Sequence, residues 1–245
     1  MRNYAKELEN RVAFIRGLIG KSGAKGIIFG NSGGKDSALV GILCKKACEN
    51  TVCVMMPCSS KRNFESDFDD ALALAEKFGI EHRMFDLTPV REAMLFMFGT
   101  KVEMNSASLA NIAPRLRMTT LYTVAAAENR LVAGTGNRSE RYMGYFTKHG
   151  DGACDFNPIG DLTVSEVYEF LRFLGAPASI IEKAPSAGLF EGQTDEAEMG
   201  ITYAKIDDYL LNGNVSDDDL AIINRFHDRS EHKRTGVAMF AETDN

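Results

Sequence analysis

Apolar residues along this chain keep two rhythms. Tyr4, Leu8, Val12, Ile15 and Ile19 recur every three or four positions, which predicts an amphipathic helix over residues 3–20. The run Gly26-Ile27-Ile28-Phe29-Gly30 is short and continuously apolar, the pattern of a buried strand. A helix is expected from about Asp36 to Glu49. A second buried strand, Thr51 to Met56, ends at Pro57. The polar stretch 58–66 reads as a loop. Ser66 and Asp69 have capping-box spacing and open a helix to Phe78. Residues 81–87 predict a third strand, and Thr88 starts a helix that ends near Gly99. After a loop over 100–106, a long helix is expected from Ser108 to Asn129, with Pro114 kinking it or marking its true start. Arg130 to Thr135 is a further strand.

The carboxyl-terminal part loses its strands. Residues 144–160 are rich in Gly, Asp and aromatics and read as a substrate loop. Thr163 and Glu166 form a capping box for a helix to Leu174, stopped by Gly175 and Pro177. Residues 184–195 show no periodicity and are expected to be a mobile lid, with Thr194 capping a short helix. Helices follow over 203–211 and 217–229. The run Asp217-Asp218-Asp219 compensates a helix N-terminus rather than binding metal. Strands alternating with helices imply an α/β fold: a Rossmann-like, doubly wound parallel sheet with helices on both faces and helical elements at the carboxyl end. In such sheets ligands bind at the carboxyl ends of the strands.

Composition narrows the class. With 245 residues, 44% hydrophobic and 25% charged, the chain suits one large domain, residues 1–245. A net charge of −6 argues against a nucleic-acid partner. Arg2, Lys6, Glu7, Glu9, Arg11 and Arg16 fit no signal peptide, and no apolar run reaches the ~20 residues of a membrane span. The five cysteines are odd in number and contain no Cys-x-x-Cys, so we read them as reduced thiols of a cytoplasmic protein.

The chemistry centres on Ser32-Gly33-Gly34-Lys35-Asp36-Ser37, between the first strand and its helix. Strand, glycine turn and helix N-terminus together present backbone N–H groups to phosphate. A Walker A loop fails twice: Phe29 stands where its first glycine belongs, and Asp36 where Ser or Thr should follow the lysine. A carboxylate facing polyphosphate needs a cation between them, so Asp36 reads as a Mg²⁺ ligand. Gly134-Thr135-Gly136-Asn137-Arg138-Ser139 imitates a dinucleotide fingerprint, but its third glycine is Ser139 and it lies outside the first βα unit.

The S-G-G-x-D-S loop resembles the pyrophosphate loop of the N-type ATP pyrophosphatases, and further stretches resemble the ammonia-dependent NAD synthetases among them. These are residues 134–140, 144–152 and 157–163, Lys183 to Leu189, Gln193 to Glu196, Ile206 to Leu210 and Glu231-His232-Lys233-Arg234, covering nearly the whole chain in the family's order. The resemblance implies a carbon–nitrogen ligase. ATP adenylates the nicotinate carboxylate of deamido-NAD with release of pyrophosphate, and ammonia then displaces AMP to give NAD. It implies ATP contacts at Gly30, Asn31, Ser32, Gly33, Gly34, Lys35, Asp36, Ser37, Thr135 and Ser186. It implies deamido-NAD contacts at Arg115, Lys148, Asp155, His232 and Lys233, catalytic roles for Asp36 and Lys148, and Mg²⁺ on Asp36 and Glu140. Arg117 faces another side of its helix and reads as structural or interfacial.

Departures touch the ATP site. Val164 and Met55 stand where many members carry Lys and Arg, and the longer loop after Pro57 offers Lys61 or Arg62 as replacements. Chain length leaves no room for a glutamine-hydrolysing domain, so ammonia is the expected donor. The resemblance also implies a homodimer, for which the stripe on the first helix and the long helix are the candidate faces. Competing readings are another adenylating ligase or amidotransferase on the same loop, a degenerate member with an altered substrate, a passive nucleotide-binding module, and a nicotinamide dehydrogenase.

Overall fold

The computed structural model describes residues 2–59, 66–183 and 195–240. Helix α1 (Tyr4–Ser22) leads into β1 (Gly26–Gly30), α2 (Lys35–Ala47), β2 (Thr51–Met55), α3 (Ser66–Phe78) and β3 (Glu81–Met84). Then come α4 (Thr88–Gly99), α5 (Ser106–Ala110), α6 (Ile112–Glu128) and β4 (Arg130–Val132). The remaining elements are helices: α7 (Arg138–Met143), α8 (Val164–Leu174), α9 (Ala178–Ile181), α10 (Asp195–Met199), α11 (Tyr203–Asn212), α12 (Asp217–Arg229) and α13 (Glu231–Arg234).

The four strands form one parallel sheet in the order β3-β2-β1-β4. The chain winds outward from β1 to β3 and then returns to place β4 on the other side of β1. The topological switch point therefore falls between β1 and β4, where a ligand crevice opens beyond the strand ends. β1 and β2 are buried along almost their whole length, which accounts for their unbroken apolar sequences. One sheet face packs against α1, α2 and α8 through Ile15, Phe29, Leu39, Leu43 and Phe170; the other packs against α6 through Ile28, Val54, Met118, Leu121 and Val132. A third apolar cluster, around Met143, Val164, Ile206 and Ile223, ties α7, α8, α11 and α12 together beside the sheet.

Several expectations change. The long helix is two, α5 and α6, broken at Asn111. Pro114 lies in the first turn of α6, where its missing N–H costs nothing. Tyr4, Leu8, Ile15 and Ile19 of α1 are spent on the monomer's own core and are not a free face. By contrast α4, with sequence TPVREAMLFMFG, buries no residue; Phe96 is 83% exposed. The proposed lid, 184–195, lies outside the described residues except for Asp195.

Candidate active site

The first wall of the site is the turn from β1 into α2. Gly33 takes a φ of +71°, and a Cβ there would lie 2.2 Å from the Asp67 carbonyl oxygen, so both conformation and space require glycine. Asn31, Ser32 and Ser37 fix the turn from within. Gly33 N donates to Asn31 Oδ1 at 3.2 Å, Asn31 Nδ2 donates to the Ala71 carbonyl at 2.9 Å, and Ser37 Oγ donates to the Gly34 carbonyl at 3.0 Å. No side chain caps the N-terminus of α2. Its first-turn N–H groups and the positive end of its dipole face the crevice, the arrangement that binds phosphate.

The second wall is the loop after β4. Ala133 bridges to Phe156, and a Cβ on Gly134 would lie 2.5 Å from Cys154 Sγ, so the 153–157 segment seats tightly on this loop. Asn157 Nδ2 donates to the Gly136 carbonyl at 2.8 Å, and Arg138 N to the Leu162 carbonyl at 2.7 Å. The segment 157–163 thus shapes the loop that carries Asn137 and Glu140. Thr163 caps α8 in the expected capping box with Glu166.

Asn137 joins the two walls. Its side chain is fully buried; Nδ2 donates to Asp36 Oδ1 at 3.0 Å, while Oδ1 accepts from Glu140 N at 3.0 Å as the N-cap of α7. Glu140 returns the capping box by accepting from Asn137 N. One amide therefore holds both acidic residues in register. The Asn137-x-x-Glu140 spacing was readable as a capping box, but the false dinucleotide fingerprint overlies it.

Between the acids lies Lys35. Its Nζ donates to Asp36 Oδ2 at 2.7 Å and is 3.9 Å from Glu140 Oε1. Burial works against its charge, but Asp36 and Glu140 outweigh that and raise its pKa. Burial, then the charge of Asp36, pushes Glu140 well above the usual carboxylate range, with Lys35 opposing. Two carboxylates held on separate walls suit a hard cation whose other ligands are phosphate oxygens and water. Among the described residues, no group of three or more His, Cys, Asp or Glu is placed to hold a metal alone. The residues present therefore fit a magnesium ion carried in with polyphosphate.

These walls enclose a cleft of about 730 Å³. Gly30, Asn31, Ser32, Gly34, Lys35, Asp36, Ser37, Thr135, Glu140 and Lys233 line it; Gly33 supports the turn from behind. Arg117 also lines the cleft, its Nε donating to the Met56 carbonyl at 3.1 Å. The sequence reading of Arg117 as structural or interfacial missed this placement. Met55 is buried, and Val164 belongs to the third apolar cluster. Lys61, Arg62 and Ser186 lie outside the described residues. Lys233 Nζ donates to the Gly144 and Phe146 carbonyls, both at 2.7 Å, and burial lowers its pKa.

The other substrate candidates gather elsewhere. Arg115, on the exposed side of α6, donates through Nε to the Lys148 carbonyl at 3.3 Å, and Lys148 Nζ donates to the His232 carbonyl at 2.6 Å. Asp155 accepts from Val132 N at 2.7 Å and from Tyr122 Oη at 3.1 Å, at the outer end of β4. Arg115, Lys148, His232 and Asp155 do not line the cleft. Lys148 and His232 nevertheless adjoin it through their neighbours Thr147 and Lys233.

The family model for NAD synthase matches residues 7–237. The NH(3)-dependent NAD(+) synthetase of Carboxydothermus hydrogenoformans is 46% identical over 95% of this chain and 96% of its own length. The structure of NMN synthetase from Francisella tularensis superposes with a TM-score of 0.92 at 39% identity, covering 99% of this chain and 100% of that one. The NH3-dependent NAD synthetase from Campylobacter jejuni superposes with a TM-score of 0.80 at 31% identity, covering 98% and 100%. A family match over residues 7–237 and near full-length identity to these synthetases make the chain a member of the NAD synthase family.

Proposed function

We propose that this chain is an ammonia-dependent NAD synthetase: it amidates the nicotinate carboxylate of deamido-NAD using ATP and ammonia. A carboxylate oxygen attacks the α-phosphorus, and pyrophosphate leaves. Ammonia then attacks the acyl carbon, loses a proton, and AMP departs with one of the original carboxylate oxygens. The observation that carries this reading is the pairing of Asp36 and Glu140 through Asn137 at the mouth of the α2 phosphate turn. Such a turn holds the leaving pyrophosphate, and the fixed donors around it stabilise charge as it develops. Magnesium on Asp36 and Glu140 would supply charge neutralisation of the phosphates. Thr135 and Ser186 are assigned to ATP, and Arg115, Lys148, Asp155, His232 and Lys233 to deamido-NAD, with Asp36 and Lys148 read as catalytic and Lys148 adjoining the cleft through Thr147. Residues 1–245 are read as one such domain.

We further read the enzyme as a homodimer. The supporting features are helix α4, which buries no residue and leaves Phe96 83% exposed, and the exposed position of Arg115 beside Lys148, which a second copy would cover. The five free cysteines support a cytoplasmic setting.

A second reading has a specific observation behind it. The chain superposes more tightly on the Francisella NMN synthetase than on the Campylobacter NAD synthetase. On this reading the carboxylate belongs to nicotinate mononucleotide, and the product is NMN. The test offers both carboxylates to the purified chain with ATP, Mg²⁺ and ammonium, and measures kcat/KM for each. Higher kcat/KM for deamido-NAD supports the first reading, and higher kcat/KM for the mononucleotide the second. Turnover of neither, or efficient use of glutamine in place of ammonium, contradicts both.

A further inference from the structure

We propose that Lys35 is the resident counter-ion of the Asp36–Glu140 pair and competes with the divalent cation for it, withdrawing onto the faces of Tyr168 and Tyr203 when the metal binds. The inference rests on the metal reading of Asp36 and Glu140.

It starts from position. Lys35 is the first residue of α2, directly after the glycine turn, so its side chain would ordinarily extend to solvent or to phosphate. Instead the side chain is only 7% exposed, and its ammonium lies between the two acids, 2.7 Å from Asp36 and 3.9 Å from Glu140. Asn137 donates to the other oxygen of Asp36, but its amide carries no charge and cannot neutralise either acid. The ammonium thus occupies the region in which a cation shared by Asp36 and Glu140 would have to lie. A hard cation shared by the two acids competes with Lys35 for Asp36, whose Oδ2 already accepts from the ammonium and whose Oδ1 accepts from Asn137.

The second observation concerns where the ammonium goes. A buried lysine stripped of its carboxylates would be costly to leave without a partner. Here the Tyr168 ring centroid is 5.9 Å from Nζ and the Tyr203 centroid 5.8 Å, both within the range of cation–π attraction. Tyr203 is itself buried, with its hydroxyl donating to Asp195 at 3.1 Å, so that ring is fixed in place. Both rings already flank the ammonium where it stands, Tyr168 from the cleft wall, and would still partner it once a metal has taken Asp36. A lysine built only to contact phosphate would need neither the carboxylate bond nor the aromatic faces behind it.

Two consequences follow. Metal affinity is weaker than the acids alone would give, because each binding event displaces an ion pair. The nucleotide-free site is also kept neutral enough to fold without a metal.

The test measures Mn²⁺ binding without turnover, by electron paramagnetic resonance of free Mn²⁺, together with thermal unfolding with and without Mn²⁺. Wild type is compared with Lys35→Gln, Lys35→Arg and Asp36→Asn. Removing the competing charge should tighten Mn²⁺ binding in Lys35→Gln by about tenfold. The same variant should unfold at a lower temperature without metal and regain stability with it. Lys35→Arg should bind Mn²⁺ more weakly than wild type, since a guanidinium grips a carboxylate with two donors. This arm keeps the test decisive if the glutamine variant fails to fold. Equal or weaker binding in Lys35→Gln, or equal or tighter binding in Lys35→Arg, overturns the proposal. If Asp36→Asn binds Mn²⁺ as well as wild type, the metal reading itself fails, and the proposal with it.

Discussion

Asn137→Ala is the most informative single perturbation of the site. The side chain is fully buried and makes two bonds that alanine cannot. Its bond to the Asp36 carboxylate is charge-assisted and contributes about 1.5–3 kcal/mol. The N-cap on α7 contributes about 1 kcal/mol. The two share one side chain, so they add only approximately, and a loss of about 2.5–4 kcal/mol is expected. For a domain of this size each kcal/mol shifts the midpoint by about 2–4 °C, which predicts a fall of about 5–16 °C. Asp36 also loses the donor that fixes it, and a displacement on the order of 1 Å should cost about 10²-fold in kcat. Asn137→Ser separates the two effects. Serine restores the cap and about 1 kcal/mol of stability, but cannot span to Asp36. Thermal unfolding and steady-state kinetics on both variants make the comparison. If the serine variant regains wild-type kcat along with its stability, Asn137 is a helix cap and nothing more, and the bracing argument is wrong.

Asp36→Asn should fold normally yet lose about 10²-fold or more in kcat, since the carboxylate meant for the cation is gone; near wild-type turnover with Mg²⁺ contradicts that role. Gly33→Ala should lower stability by more than about 1 kcal/mol and raise the KM for ATP, because the added Cβ meets the Asp67 carbonyl at 2.2 Å in a left-handed turn; an unchanged KM would show that the turn does not hold phosphate. Hydrogen bonds from Arg83, then Arg130, lower the Glu128 carboxyl to about 2. Its folded pKa is depressed, so its stabilisation is present above about 4.5 and fades as pH falls toward about 2. Glu128→Gln should therefore flatten the acid limb of the stability curve over that window, read as urea midpoints at each pH, and a limb of unchanged slope would contradict it.

Elements whose signal is local were legible in the sequence. Thr163 and Glu166 cap α8, Gly175 ends it in the left-handed region, and the buried runs at 26–30 and 51–55 are strands. What tertiary context decides was less accessible. The α1 stripe has the same spacing whether it meets its own core or another subunit, and here it meets the core. The helix break came at Asn111 rather than at Pro114, because proline is free of cost in a first turn. The phosphate turn was readable because its glycines, serines and aspartate lie within one contiguous stretch. Arg117 and Asn137 were not assigned to the site, since their roles depend on partners 61 and 101 positions away, Met56 and Asp36. Lys35 was read as a phosphate contact because nothing in a one-dimensional pattern sets it between Asp36 and Glu140.

The central claim is that the carboxylate is activated by adenylation. It is tested most directly by following oxygen. Deamido-NAD carrying ¹⁸O in both carboxylate oxygens is turned over with ATP, Mg²⁺ and ammonium, and the products are weighed by mass spectrometry. The account predicts one ¹⁸O in each AMP, one in the amide of NAD, and none in pyrophosphate. Label in inorganic phosphate, with ADP as the nucleotide product, would show a phosphorylated carboxylate instead and contradict it.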